Sequence, residues 1–173
     1  MHNYLKLLLV VFFLFTSWSF AEPQNNSTNH IKSVVFGAGC FWSVEKKFQE
    51  TLGVINVESG YADGKKIKPI YREIIKKENR FNPDNYAEVV KVTYNSNHIT
   101  FSELVKIFFE MHDPTQGNRQ GNDIGVQYRS LILASSEKEI SLSNQIKEQY
   151  QVLLEKSGYG PVKTDIKKLS KFF

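Results

Sequence analysis

The amino-acid sequence predicts an α+β fold of two layers, in which helices pack on a mixed or antiparallel sheet. Its 173 residues are 41% apolar and 13% aromatic, which is enough to fill the one core expected at this length. Apolar patterns of strand and helix period follow one another in the order strand, helix, strand, strand, helix, strand, helix. This order favours a sheet with helices on one face.

Four elements are predicted in the first half of the domain. The apolar run Ser33–Phe36 indicates a short buried strand, and the glycines of Gly37–Cys40 allow a tight turn after it. A helix follows and is expected to end at Gly53. Its apolar positions recur every four residues: Val44, Phe48 and Leu52. Alternating patterns over Val54–Tyr61 and Ala87–Tyr94 predict two further strands.

The second half begins with a helix predicted over Thr100–His112, which opens with capping-box spacing and has one apolar face. The Gly/Asn/Asp-rich segment Asp113–Gly125 cannot continue this helix and is predicted to be a long functional loop. Tyr128–Ala134 then indicates a strand, and a capped helix follows from Ser136 to about Lys156. The predicted core is related to the ferredoxin-like arrangement.

The N-terminal residues have the pattern of a secretory signal peptide, 1–21. Lys6 precedes the apolar run Leu7–Phe15, and small residues flank Phe20 ahead of a cut after Ala21. The run is shorter than the roughly 20 residues of a spanning helix, although an uncleaved anchor is the alternative. We therefore expect a periplasmic or secreted protein without stable membrane insertion, with a flexible spacer over residues 22–31 and a domain over 32–173.

Charge and cysteine content exclude several classes of function. Lys and Arg number 22 against 18 Asp and Glu, and no dense basic block is placed to bind nucleic acid. The single cysteine rules out an intramolecular disulfide and a Cys-based zinc site, and the four His residues are scattered. We expect a monomer that needs neither a metal ion nor an organic cofactor.

Cys40 is the candidate nucleophile. A lone cysteine is more often a small buried apolar residue. Here, however, it follows a Gly-x-Gly turn and opens a helix, where the dipole and the free amide groups favour a thiolate. Two large aromatic residues, Phe41 and Trp42, follow it directly, either as walls of an apolar pocket or as ordinary core residues.

Four segments of the chain resemble the peptide methionine sulfoxide reductases of the A type. They are GAGCFWSVE, YREI, YAEVVKVTY and HDPTQGNRQGNDIGVQYRS, and the resemblance extends from about Val34 to the end of the sequence. The GCFW element and the long loop are too specific to match by chance. The resemblance implies thiol-dependent reduction of methionine S-sulfoxide, free or in oxidised proteins.

The resemblance also implies the chemical roles of two residues. Cys40 is the nucleophile that attacks sulfur and becomes a sulfenic acid. Glu88, in the YAEV segment, is the acid that protonates the departing oxygen, because oxide itself cannot leave. An apolar pocket would raise the pKa of Glu88 and keep its proton available near neutral pH.

The same resemblance implies three further catalytic residues and two substrate-binding residues. Tyr71 and Tyr128 match hydroxyl groups that hold the sulfoxide oxygen. Asp123 matches the loop carboxylate that organises the pocket. Phe41 and Trp42 match an aromatic cage for the S-methyl group of the substrate.

Two departures from the family pattern affect these expectations. Members commonly have Gly-His where this chain has Asn85-Tyr86, so Tyr86 is expected to lack the chemistry of that histidine. Members also continue past Phe173 into an Ala-Glu-x-x-His-Gln segment, and often into a tail with resolving cysteines. We therefore expect either a truncated sequence or a domain that has lost this C-terminal piece. Cys40 is then expected to be reduced by an external thiol, either a thioredoxin-like protein or glutathione.

Two other functions remain open at this level. One is a binding module that docks oxidised methionine side chains without turnover. The other is an exported thiol that reduces peroxides or exchanges disulfides. Slow product formation with intact binding would indicate the first, and faster consumption of peroxide than of sulfoxide would indicate the second.

Overall fold

The structure, a computed structural model, describes residues 30–173. The predicted signal peptide and the predicted spacer up to residue 29 lie outside the described residues. Within residues 30–173, no helix combines the length and the apolar character needed to cross a membrane.

Over these residues the chain forms seven strands and four α-helices. The strands are β1 (Ile31–Gly37), β2 (Val54–Ala62), β3 (Ala87–Asn95), β4 (Arg119–Gln120), β5 (Asp123–Ile124), β6 (Leu131–Ala134) and β7 (Asp165–Lys168). The helices are α1 (Phe41–Gln49), α2 (Tyr71–Ile74), α3 (Phe101–Glu110) and α4 (Glu137–Lys156). Short 3₁₀ turns lie at Lys77–Asn79 and Val126–Tyr128.

The main sheet has five strands in the order β2-β3-β1-β6-β7. All neighbours are antiparallel except β6 and β7, which are parallel, while β4 and β5 form a separate antiparallel ribbon. The predicted α+β class with a mixed sheet is therefore confirmed. Its relation to the ferredoxin-like arrangement stays a prediction.

The main core lies between one face of the sheet and the helices. The Phe36 ring from β1 stacks on Phe48 of α1 and on Phe108 of α3, at centroid distances of 5.0 and 5.1 Å. Each aromatic ring buried in this way removes a large apolar area from water. Helix α3 begins as predicted with a capping box: the Thr100 hydroxyl accepts from the Glu103 backbone N–H, and the Glu103 carboxylate accepts from the Thr100 backbone N–H. These contacts fix α1 and α3 against β1, the strand that leads to Cys40.

Two predicted boundaries are wrong. Helix α1 ends at Gln49, and Leu52, which the periodicity placed on its apolar face, is 91% exposed. Gly53, with φ +92, instead turns the chain directly into β2. The strand predicted from Tyr128 begins only at Leu131, since Tyr128 lies in a 3₁₀ turn.

Three other elements are absent from the sequence-based prediction, and the first is the short helix α2, between β2 and β3. The long loop over residues 113–125 contains the two-residue strands of the β4–β5 ribbon. Strand β7 pairs with β6 at the edge of the sheet, although its sequence DIKK is mostly polar and exposed. Edge strands of this kind lack the apolar alternation on which a strand prediction depends.

Candidate active site

A cavity of about 290 Å³ opens where the start of α1 meets β2 and β3. It is lined by Cys40, Phe41, Trp42, Tyr61, Tyr71, Glu88, Asp123 and Tyr128. The structure thus brings together all seven site residues named from the sequence, although they are spread over some 90 positions of the chain. The eighth residue, Tyr61, was missed.

Cys40 lies at the N-cap of α1, and its carbonyl accepts a hydrogen bond of 3.2 Å from the Ser43 N–H. The preceding Gly39 has φ +95, and a Cβ there would lie 2.7 Å from the side chain of Gln120. Only glycine fits this turn without displacing the loop. The Cys40 side chain makes no capping hydrogen bond to the helix, so its sulfur is available to a ligand in the cavity. The first-turn amides favour negative charge at this end.

Glu88 extends from β3 into the cavity and is only 5% exposed. Its Oε2 accepts a hydrogen bond of 3.4 Å from the backbone N–H of Phe41, the residue next to Cys40. Burial raises the pKa of the Glu88 carboxyl, the Phe41 hydrogen bond lowers it, and the negative charge of Asp123 raises it further. The pKa of Glu88 is raised overall, so Glu88 keeps its proton at a higher pH than an exposed glutamate.

Three tyrosines surround this carboxyl group. Tyr61 lies directly opposite Glu88 in the pairing of β2 with β3. Burial, with a smaller contribution from the charge of Glu88, raises the pKa of Tyr61 to about 12, and the same two causes raise the pKa of Tyr128. Tyr71, the first residue of α2, is 59% exposed and lies at the rim. Tyr61 and Tyr128 therefore remain protonated hydrogen-bond donors at neutral pH.

Aromatic rings form an apolar wall of the cavity. The Phe41 ring lies 6.3 Å from the Trp42 ring and 5.7 Å from the Tyr61 ring, measured between centroids. Trp42 is 74% exposed, so one face of the indole is open to solvent and to any ligand at the mouth. Rings arranged in this way make favourable contacts with methyl groups and sulfur.

Asp123 is carried by the β4–β5 ribbon, whose base is held by hydrogen bonds. The Asp113 carboxylate accepts from the Thr115 backbone N–H at 2.9 Å, from its hydroxyl at 2.6 Å and from the Gln116 side chain at 2.8 Å. The Gln116 side-chain oxygen in turn accepts from the Gly121 N–H at 2.9 Å. This chain of contacts holds the ribbon in place, and with it the exposed Asp123 carboxylate.

Arg129 supports the site from behind. Its buried guanidinium donates to the Asp63 carboxylate at 2.9 Å and to the backbone carbonyls of Asp63, Asn85 and Val126 at 2.7, 3.3 and 2.8 Å. These groups belong to the end of β2, the approach to β3 and the turn that carries Tyr128. One side chain therefore holds together three segments that contribute to the cavity.

His112 anchors the start of the loop in a second buried network. Its Nδ1 lies 2.7 Å from the Phe108 carbonyl oxygen, which can only accept, so Nδ1 carries the proton. Nε2 then accepts from the Ser130 hydroxyl at 2.8 Å, and Ser130 accepts from Thr164 at 2.7 Å. Burial lowers the pKa of His112 to about 4, which keeps the ring neutral and the network intact at neutral pH.

Tyr86, at the position where the family commonly has histidine, has a packing role. It is 1% exposed, its hydroxyl donates to the Lys66 carbonyl, and its ring meets the Phe173 ring edge-on at 5.5 Å. The missed residue, Tyr61, follows Gly60 in a strand whose pattern does not distinguish it from other half-buried positions. Its place opposite Glu88 in the β2–β3 register is the signal that identifies it.

Among residues 30–173, no group of three or more His, Cys, Asp and Glu side chains is arranged to hold a metal ion. The fold and the site define a class: an α+β protein with a cysteine at a helix N-terminus, beside a buried carboxyl group whose pKa is raised by burial. A sequence model of the family described as peptide methionine sulfoxide reductase matches residues 32–173. The chain belongs to this family.

Relatives agree with this assignment. The human protein named mitochondrial peptide methionine sulfoxide reductase is 45% identical over 152 residues, covering 88% of this chain and 61% of its own length. The chain thus spans about three fifths of the curated relatives it matches.

Solved structures of the family share the fold. Methionine sulfoxide reductase A of Corynebacterium diphtheriae superposes with a TM-score of 0.77 at 36% identity, covering 85% of this chain and 71% of that one. Mxr1 of Saccharomyces cerevisiae in complex with Trx2 gives a TM-score of 0.59 at 26% identity, with coverages of 84% and 81%.

Proposed function

We propose that this chain reduces methionine S-sulfoxide, free or in oxidised proteins, to methionine at the expense of thiols. One observation carries the proposal: the Glu88 carboxyl, buried and with a raised pKa, bonds to the backbone of the residue next to Cys40 inside one small cavity. A nucleophilic sulfur and a retained proton are the two groups that removal of oxygen from a sulfoxide needs.

In the first step the Cys40 thiolate attacks the sulfoxide sulfur. This attack forms a transient S–S bond while Glu88 supplies a proton to the oxygen; the oxygen then passes to the Cys40 sulfur, the S–S bond and the S–O bond of the substrate break, and methionine leaves with the electron pair. Cys40 is then a sulfenic acid. The raised pKa of Glu88 supports this role, since a carboxyl group ionised at neutral pH would have no proton to give.

The other residues of the cavity position the sulfoxide. The hydroxyl groups of Tyr128 and Tyr61 donate hydrogen bonds to its oxygen, with Tyr71 completing the set at the rim. Phe41 and Trp42 contact the S-methyl group, which suits their apolar ring faces. Asp123 adds negative charge beside Glu88 and so helps to keep the Glu88 carboxyl protonated.

Two thiols return Cys40 to its starting state. The first thiol attacks the sulfenic acid, releases water and forms a mixed disulfide, and the second displaces the Cys40 thiolate and leaves as a disulfide with the first. Cys40 is the single cysteine of the 173 residues, so both thiols come from outside these residues. The complex of the related Mxr1 with Trx2 supports a thioredoxin-like protein among the donors.

Export is part of the proposal. The apolar run after Lys6 and the small residues around Phe20 support cleavage after Ala21, which would leave a monomeric periplasmic or secreted protein without a membrane segment. Expression of the full chain in a bacterial host, followed by determination of the N-terminal residue and the compartment, tests this. An N-terminus at Glu22 in the periplasmic fraction is expected, and retention of Met1 in the cytoplasm contradicts it.

A single turnover without added thiol tests the activity. Pre-reduced protein is mixed with methionine S-sulfoxide, and the methionine released and the mass of the peptide containing Cys40 are measured. We expect about one methionine per protein, one added oxygen on Cys40, and no product with Cys40→Ser. Bound sulfoxide without methionine would instead indicate a binding module, and faster turnover of hydrogen peroxide would indicate a peroxidase.

A further inference from the structure

A second and larger cavity reaches Cys40 from the side away from Glu88. This groove, of about 520 Å³, is lined by Ser43, Val44 and Lys47 of α1, by Met111 and His112, and by Gln120 and Gly121 of the ribbon. Cys40 and Asp123 line both the groove and the aromatic cavity, whereas Glu88 and the tyrosines line only the aromatic cavity. Cys40 therefore forms part of the partition between two spaces of different chemistry.

We propose that this groove is the entrance through which a small anionic thiol reaches the oxidised Cys40. The inference rests on the proposed function, because it concerns the second half of the same catalytic cycle. It assigns the two half-reactions to opposite sides of one cysteine: the sulfoxide enters the aromatic cavity, and the reducing thiol enters the groove.

The direction of attack on a sulfenic acid supports this division. A thiolate that displaces oxygen from sulfur approaches in line with the S–O bond, on the side opposite the oxygen. After the first step the oxygen lies toward the groups that donated to it, Glu88 and the tyrosines. The incoming sulfur must then come from the other side, where the groove supplies the space.

The size and charge of the groove favour a small ligand with carboxylate groups. Sites for such ligands have volumes of about 300–1,000 Å³, a range that includes this groove. Two cations face it, exposed Lys47 in the lining and exposed Arg119, whose guanidinium bonds to the Gly121 carbonyl at the rim; they outnumber the one carboxylate of the lining, Asp123, which lies on the side shared with the aromatic cavity. Neutral His112 adds no repulsion toward a cation or an anion. Glutathione, a peptide thiol with two carboxylates, has the matching chemistry.

The wall formed by Gln120 is fixed in place. Its amide oxygen accepts from the Asp113 N–H at 3.3 Å, and its amide nitrogen donates to the Asp113 carbonyl at 3.2 Å. The same side chain packs against Gly39, next to Cys40. The groove is thus a preformed space beside the sulfur, which lowers the ordering cost of binding a flexible thiol.

The steps balance without any other reactant. Glutathione thiolate attacks the Cys40 sulfur, the S–O bond breaks, and the oxygen leaves as water after taking up two protons in all. A second glutathione then attacks the mixed disulfide, frees the Cys40 thiolate and leaves as oxidised glutathione. Two electrons pass from the two thiols to the sulfenic acid.

Charge reversal in the groove tests the assignment. The Cys40 sulfenic acid is generated by one turnover with methionine S-sulfoxide, and its reduction by glutathione and by neutral 2-mercaptoethanol is followed in separate experiments. The readout is the ratio of the two second-order rate constants. We expect Lys47→Glu to lower this ratio about three- to tenfold, and the effect to shrink at high salt.

The matched control is Lys46→Glu. Lys46 is also exposed on α1 and is adjacent in sequence, but it does not line the groove, so the same change in net charge should leave the ratio as in the wild type. Equal ratios in Lys47→Glu and the wild type, or equal losses in the two variants, would overturn the proposal. The proposal would also be overturned if Lys47→Glu slowed reduction by a thioredoxin but left the rate constant for reduction by glutathione unchanged.

Failure of the proposed function can be separated from failure of this inference. If no methionine forms in the first turnover, the sulfenic acid can be made directly with one equivalent of hydrogen peroxide. The ratio of rate constants then still measures access through the groove. A normal first turnover with a ratio insensitive to Lys47 would leave the reductase function standing and reject the groove.

Discussion

Glu88 and Arg129 are both charged residue types that lie almost fully buried, 5% and 8% exposed, yet their surroundings differ. Arg129 donates to a carboxylate and three carbonyl groups, so its charge is compensated from several directions. Glu88 accepts a long hydrogen bond from Phe41 and has Asp123 as a like-charged neighbour. Burial without compensation raises the pKa of Glu88.

The comparison separates the groups that stabilise the site from the group that reacts in it. A buried charge with a full set of partners stabilises the folded state and is costly to remove. A buried carboxyl with weak partners gives little stability, because the folded protein must keep it protonated or bear an uncompensated charge. The same property supplies the proton that catalysis needs.

Glu88→Gln should give the largest effect on activity. Glutamine retains the shape and the acceptor oxygen but has no acidic proton, so the single-turnover rate should fall about 10²- to 10³-fold. A folded-state pKa above the unfolded value means that Glu88 lowers stability as pH rises past 4.5. The free energy of unfolding at pH 7 should therefore be unchanged or higher in the variant, measured by urea denaturation.

The matched control is Glu58→Gln. Glu58 lies on β2, the strand paired with β3, but it is half-exposed, forms an ion pair with Lys91 of β3 at 2.7 Å and does not line the cavity. It should leave the single-turnover rate unchanged. Equal losses of activity in both variants would remove the distinction drawn for Glu88.

Arg129→Met should show the opposite behaviour. Removing the guanidinium leaves the Asp63 carboxylate and three carbonyl groups without their shared donor, so we expect about 2–4 kcal/mol loss in the free energy of unfolding. Lys167→Met is the control, because Lys167 bonds to the same carboxylate at 2.9 Å from an exposed position. It should cost about 0–1 kcal/mol. Similar costs in the two variants would contradict a supporting role specific to Arg129.

Acid should lower the stability of the folded protein by protonating His112, which anchors the start of the loop. Its folded-state pKa of about 4 lies below the ordinary value of 6.5, so the stability it contributes is complete above pH 6.5 and declines as pH falls toward 4. The loss is on the order of 3 kcal/mol. In His112→Gln this titration is absent, so the difference in the free energy of unfolding between the wild type and the variant should shrink as pH falls from 6.5 to 4. Parallel curves would show that His112 does not titrate there.

Tyr61→Phe should give the smallest effect. Removing one hydroxyl donor from the cavity should lower the single-turnover rate about three- to tenfold while leaving stability within about 1 kcal/mol. Tyr94→Phe is a suitable control, since Tyr94 lies on β3 with a pKa also raised to about 12 but outside the cavity. If Tyr61→Phe lowered the free energy of unfolding but left the single-turnover rate equal to that of Tyr94→Phe, the Tyr61 hydroxyl would have a structural role and not a role in the reaction.

Features set by local sequence were predictable. The cap of α3 at Thr100 depends on residues three apart, and the position of Cys40 at a helix start follows from the Gly-x-Gly turn and the periodicity after it. The seven residues brought together at the cavity came from long, specific motifs, which compensate for the lack of distance information in a sequence.

Features set by tertiary pairing were not predictable. Tyr61 belongs to the site because the antiparallel register places it opposite Glu88, and no motif in β2 marks that register. Strand β7 forms because β6 offers it an edge, although its own residues carry no strand pattern. Leu52 follows the helical period but is exposed, since the turn at Gly53 ends the helix a turn earlier.

The pH dependence of the single-turnover rate tests the central claim most directly. If Glu88 supplies the proton, the wild-type rate should fall on the alkaline side with an apparent pKa above 4.5, and Glu88→Gln should react slowly with no such decline. An alkaline limb of the same position and size in Glu88→Gln, or a rate equal to that of the wild type, would contradict Glu88 as the acid.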